Sequence, residues 1–119
     1  MSTYRNFSEK SELLKNGSIS LTENVKHFLS EIEANKDINA FNFVFEDCVD
    51  IVRKVEKKIK NGSAGKLAGM VIAIKDVLSI KDKPLTCSSK ILGNFNSQSI
   101  SSLESHEKFQ RACATSKLR

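Results

Sequence analysis

Hydrophobic and polar positions change period several times along the chain, and each change marks an element. Ser8 stands where a cap belongs before Leu13 and Leu14, and Asn16-Gly17 supplies a left-handed exit, so a short helix is predicted at about Glu9 to Lys15. Ser20 and Glu23 have capping-box spacing, and Val25, Phe28, Leu29 and Ile32 recur at helical intervals, which predicts a helix with one buried face over Leu21 to Ala34. Phe41, Phe43 and Phe45 then alternate with Asn42 and Val44, the pattern of a half-buried strand over Ala40 to Phe45. Helical spacing returns through Cys48, Val52, Val55 and Ile59 and stops at Asn61-Gly62, giving a helix over Asp47 to Lys60. Leu67 to Ile74 is nearly all apolar, which predicts a central strand near Met70 to Ile74, buried on both faces and ending at the polar pair Lys75-Asp76. Lys81 to Pro84 reads as a turn, and Ser88 and Ser89 as loop or cap residues rather than a nucleophile pair. Beyond Asn96 the last 23 residues hold six serines and only the weak apolar set Phe109, Ala112 and Cys113, so a loosely structured tail is expected over 97–119.

Composition narrows the class without naming a chemistry. With 119 residues, 39% hydrophobic and 28% charged, the chain has the make-up of one soluble globular domain, and the order of helices and strands predicted above makes it α/β. A domain of this size buries only about two-thirds of its unfolded surface, so marginal stability is expected. No apolar run reaches membrane-spanning length and the first ten residues lack the order of a signal peptide, from which a cytoplasmic location is expected. Cys48, Cys87 and Cys113 are odd in number and widely spaced, fitting reduced thiols rather than a disulfide framework or a metal site. The net charge of +5 is spread along the chain. Its one dense run, Lys54 to Lys60, is interrupted by Glu56 and reads as a solvated helix face. His106, between Glu104 and Glu107, reads as a solvated histidine rather than a ligand or base.

The strand-end pair is the candidate chemistry, since functional groups in open α/β sheets gather at strand ends. The order Asp37-Ile-Asn-Ala-Phe41, Gly65-Lys-Leu-Ala-Gly-Met-Val-Ile-Ala-Ile-Lys-Asp76, Thr86-Cys-Ser-Ser-Lys-Ile-Leu92 and Asn94-Phe95 resembles the start of the amidase signature family over about residues 8–96. The resemblance implies the N-terminal portion of that family's fold, helices packed on a mixed sheet, with residues 1–96 an incomplete amidase domain and 97–119 divergent from it. It also implies that Lys75 is the general base of a relay, taking a proton from a serine in a cis peptide, which in turn activates a nucleophilic serine. The glycine- and serine-rich loop that carries both serines is not found in the sequence, so no nucleophile is assigned. A free lysine, with a pKa of about 10.4, must be desolvated to serve as a base at neutral pH. Ile72 and Ile74 offer apolar flanks, while Asp76 would oppose the shift if it faced the amine.

Three readings follow. The first resembles the amidase subunit of tRNA-dependent amidotransferases, which hydrolyses glutamine and passes ammonia to partner subunits B and C. Those use ATP and magnesium to amidate an aminoacyl-tRNA, and this segment itself binds no cofactor. The second is a piece of a general small-molecule amidase. The third is a non-catalytic fragment or a small basic binding module, as a frameshift or early truncation would leave, inactive alone because the relay serines act as a unit with the base.

Overall fold

Local signals set the helices, and one of them differs from expectation. The first helix, α1, runs Phe7–Lys15, and its cap is Asn6 rather than Ser8. The Asn6 backbone is extended and its side chain accepts the Glu9 N–H at 2.9 Å, while the Glu9 carboxylate accepts the Arg5 N–H at 2.7 Å. One free helix donor is thereby met by the cap and the N–H preceding the cap by Glu9, which leaves Ser8 inside the helix. The second helix, α2, runs Leu21–Ala34 as predicted, with Ser20 accepting from the Glu23 N–H at 3.4 Å. The third, α3, is Cys48–Lys60. Gly17 and Gly62 both have φ of +73°, the left-handed exits that the two Asn-Gly pairs announce.

The computed structural model describes residues 4–80, 82–98 and 113–118, and of 113–118 only the side chains of Ser116 and Leu118. Lys81 and His106 lie outside the described residues. Strand β1 is Phe41–Val44, β2 is Val71–Lys75 and β3 is Cys113–Leu118, in the order β1-β3-β2. β3 runs antiparallel to β1 and parallel to β2, so the sheet is mixed. Helices and sheet share one core, built from Leu14, Leu21, Val25, Cys48, Val52, Ile59, Ala68 and Ile74 with Phe45 and Ile80 beside them.

Three expectations are corrected. β2 is an edge of the described sheet, and its centre is β3, from a segment expected to be loose. Cys113 to Leu118 shows no apolar alternation; its place is fixed by pairing on both sides, including Asp76 N–H to Leu118 O at 3.0 Å, and such long-range pairing leaves no local signature. Ser97 is likewise buried, with backbone hydrogen bonds to Asp82 and Lys83. β2, moreover, is covered on one face only: Ile74 is buried, whereas Ala73 and Lys75 are exposed. Beside it lies an apolar groove of about 400 Å³, lined by Phe28 and Ile32 of α2, Phe41 of β1 and Val71, Ile72 and Ala73. Finally, the apolar stretch from Leu67 is not all strand. Gly69 takes φ of +90° in a turn closed by Met70 N–H to Leu67 O, and a Cβ there would stand 2.5 Å from Leu14 Cδ1. Only glycine meets both conditions, so the strand begins at Val71.

Candidate functional site

Lys75 is the last residue of β2, and the backbone turns sharply after it through Leu78 N–H to Lys75 O at 3.0 Å. Its side chain is exposed, so the desolvation expected from Ile72 and Ile74 is not supplied by these neighbours. Pleat alternation explains why: Ile74 points into the core and Lys75 to the other face.

Asp76 is fully buried. Its carboxylate accepts from the Thr86 N–H at 3.2 Å, from the Thr86 hydroxyl in a short hydrogen bond, and from Asn42 Nδ2 at 2.8 Å. The Ser88 N–H in turn donates to the Thr86 hydroxyl oxygen at 3.3 Å. Burial alone would raise the Asp76 pKa, but the hydrogen bonds donated by Thr86 and Asn42 outweigh it and hold the carboxyl below its ordinary value. Asp76 therefore sits in the network as a carboxylate surrounded by donors, committed to Asn42 and Thr86.

The segment that receives Asp76 is itself unusual. Cys87 and Ser88 have φ of +49° and +58°, two successive non-glycine residues in the left-handed region. The Cys87 N–H donates to the Asp76 carbonyl at 3.1 Å, which closes this turn back onto the end of β2. Ser88 Oγ accepts from Asn42 Nδ2 at 3.0 Å, and Ser89 holds the N-cap position of a 3₁₀ turn, Lys90–Leu92. The two serines are thus loop and cap residues, as the sequence implies. Sequence reasoning does not single out Asn42 and Thr86 as partners of Asp76, or Ser88 as the residue tied to both of them. The one signal for them is a polar Asn42 set between Phe41 and Phe43 in a strand otherwise reading as apolar.

Among the described residues, no group of three His, Cys, Asp or Glu side chains is placed to hold a metal ion, and no helix is long and apolar enough to cross a membrane. Cys48 is buried and Cys87 exposed, both free.

Residues 23–106 match the family model described as Amidase. The chain belongs to the amidase family. It is 39% identical over 93 residues to the A-subunit of the glutamyl-tRNA(Gln) amidotransferase of Chlorobium chlorochromatii, covering 76% of this chain. Identity is 40% over 99 residues to that of Chlorobium limicola and 37% over 90 residues to that of Methanothermobacter thermautotrophicus. The chain spans about a fifth of the length of these relatives, 20% in each case. Among solved structures, it superposes with a TM-score of 0.83 at 22% identity on a chain of a vestigial protein complex tied to the origins of an s-triazine catabolic enzyme. A crystal structure of an amidase gives 0.70 at 16% identity. Each superposition covers 96% of this chain and 26% of the other, and shows the shared fold. The family match runs past Asn96, to residue 106.

Proposed function

We propose that this chain carries the base-bearing N-terminal portion of the amidase subunit of a tRNA-dependent amidotransferase, with Lys75 as the general base for glutamine hydrolysis. The observation that supports it most directly is placement: the one lysine ending β2 lies in the segment that matches the family, and the next residue is anchored by the Asp76 network. The named relatives at 37 to 40% identity favour this branch over a general small-molecule amidase.

In this reading a neutral Lys75 accepts a proton from a relay serine, which accepts one from the nucleophilic serine as that oxygen attacks the side-chain amide carbon of glutamine. Ammonia leaves, and water releases glutamate from the acyl-enzyme. Both serines belong to sequence outside this chain, as does the cover that would desolvate Lys75. Partner subunits B and C, the aminoacyl-tRNA and the ATP and magnesium chemistry complete the reading in a cytoplasmic complex. The 119-residue chain alone is then inactive, since base, relay and oxyanion stabilisation act together.

The test is ammonia release from glutamine by a full-length enzyme carrying this segment. Lys75→Ala is expected to lower the rate at least about 10²- to 10⁴-fold, the usual worth of a positioned base, while Lys90→Ala leaves it near normal. Equal effects at the two lysines would refute the assignment. Hydrolysis of small amides in preference to glutamine would move the chain to the other branch.

A further inference from the structure

Lys75 leaves the sheet one peptide bond before the most heavily tied residue of the site. The Asp76 N–H donates to Leu118 O at 3.0 Å, its carbonyl accepts from the Cys87 N–H at 3.1 Å, and its carboxylate takes the donors of Asn42 and Thr86, whose hydroxyl oxygen in turn accepts the Ser88 N–H at 3.3 Å. These partners come from β1, from β3 and from the turn at 86–88, the three segments that surround the end of β2. The turn holds Cys87 and Ser88 in a backbone conformation that residues with a Cβ adopt only when their surroundings impose it, and such strain gathers at functional sites. The network supplies that constraint, because every group facing the carboxylate is a donor and only an acceptor of full capacity satisfies them together.

We propose that Asp76 is the positioning residue of the Lys75 site: its buried carboxylate locks the Thr86–Ser88 turn to Asn42 on β1 and thereby fixes the direction in which the backbone presents Lys75. The inference rests on the reading of Lys75 as the base, but its physical content is separate from catalysis. An asparagine at position 76 keeps the shape and turns half of the acceptor surface into a donor facing donors. Thr86→Val is a milder change, removing one hydroxyl at nearly constant volume.

The experiment compares the 119-residue chain with Asp76→Asn, Thr86→Val and Lys75→Ala by NMR. It reads amide exchange at Thr86 and Ser88 and the residual dipolar coupling of the Lys75 N–H, with the couplings of α2 and α3 as internal reference. Asp76→Asn and Thr86→Val are expected to speed exchange at the two turn amides by about tenfold or more and to change the Lys75 coupling, leaving the helices unchanged, as local rather than global opening does. Lys75→Ala should leave both turn amides protected. If the turn is released while the Lys75 coupling stays at its wild-type value, Asp76 holds the loop but does not position the lysine, and the proposal fails. Protected amides in both network variants would equally overturn it. Should Asp76→Asn unfold the chain, the same readings are taken on Thr86→Val. In the full-length enzyme Asp76→Asn should lower kcat for glutamine with little change in KM. If Lys75→Ala proved active there, the base reading would fall while the NMR result stood.

Discussion

Removing the Glu56 side chain should destabilise the fold more than any other single change on the basic face of α3. Glu56 lies among Lys54, Lys57, Lys58 and Lys60, yet it faces the start of α2 rather than solvent. Its carboxylate accepts the Leu21 N–H at 3.0 Å, the Ser20 hydroxyl at 3.1 Å and the Thr22 hydroxyl at 2.8 Å. It therefore acts as a cap lent by one helix to another and ties α2 to α3 at the core residues Leu21 and Val52. In Glu56→Ala the two hydroxyls can turn to water, but Leu21 is fully buried and its N–H loses its acceptor, costing about 1–3 kcal/mol. Loss of a negative charge at a helix N-terminus adds about 0.3–1 kcal/mol. A total of about 1–4 kcal/mol corresponds to a fall in Tm on the order of 10 °C for a domain of this size. Glu56→Gln keeps one acceptor oxygen and should cost roughly half as much, while Lys57→Ala, exposed, should stay within about 0.5 kcal/mol. Acid provides an independent check. Burial would raise the Glu56 pKa, but hydrogen bonds from Thr22, Ser20 and Leu21 prevail and hold it below its ordinary value. A group depressed on folding contributes stability above its unfolded pKa and loses that contribution as pH falls through its folded one. The gap between wild type and Glu56→Gln should accordingly narrow as pH falls below about 4.5. Thermal melts placing Glu56→Ala within about 0.5 kcal/mol of wild type at pH 7 would show that water replaces the cap without loss.

The other predictions concern backbone, thiols and the buried carboxylate. Gly69→Ala combines positive φ with a Cβ 2.5 Å from Leu14 Cδ1 and should cost about 2–4 kcal/mol, whereas Gly17→Ala, with nothing within 4 Å, should cost about 1 kcal/mol; chemical denaturation compares them directly. A maleimide reagent should modify exposed Cys87 before Cys48, whose thiol pKa is raised chiefly by burial, and mass spectrometry of labelled peptides would show a reversed order if the fold were wrong. Asp76 titrates below the ordinary carboxylate range, so the protection of the Thr86 amide should persist as pH falls past about 3.9 and be lost only at lower pH; earlier loss would mean that the network is not ionic.

What the sequence makes legible, and what it hides, divides along the range of the interactions involved. Helix α2, the exits at Gly17 and Gly62 and the polar end of β2 at Lys75 are carried by residues close together in the chain, so periodicity and capping rules reach them. The α/β class and the family are legible for a related reason: Leu67 to Asp76 compresses a turn, a strand and its polar end into ten residues. β3 is the counterexample. Cys113 to Leu118 has a strand's neighbours but not a strand's pattern, and only pairing with Phe41 to Val44 and Val71 to Lys75 makes it central. The site divides in the same way. Lys75 and Asp76 announce themselves as an abrupt polar end, but the partners that decide their roles lie 34 residues upstream at Asn42 and 10 downstream at Thr86. By sequence Asp76 is a charge that would oppose neutralising Lys75 if it faced the amine; being buried and occupied by donors, it instead serves as an anchor. Lys75, conversely, is exposed where a base needs a dry site, and Ala73 on the same strand is exposed with it. Positioning and desolvation of the lysine are thus two separate tasks. On the proposed reading, the first falls to Asp76 and the second to cover over the open face of β2.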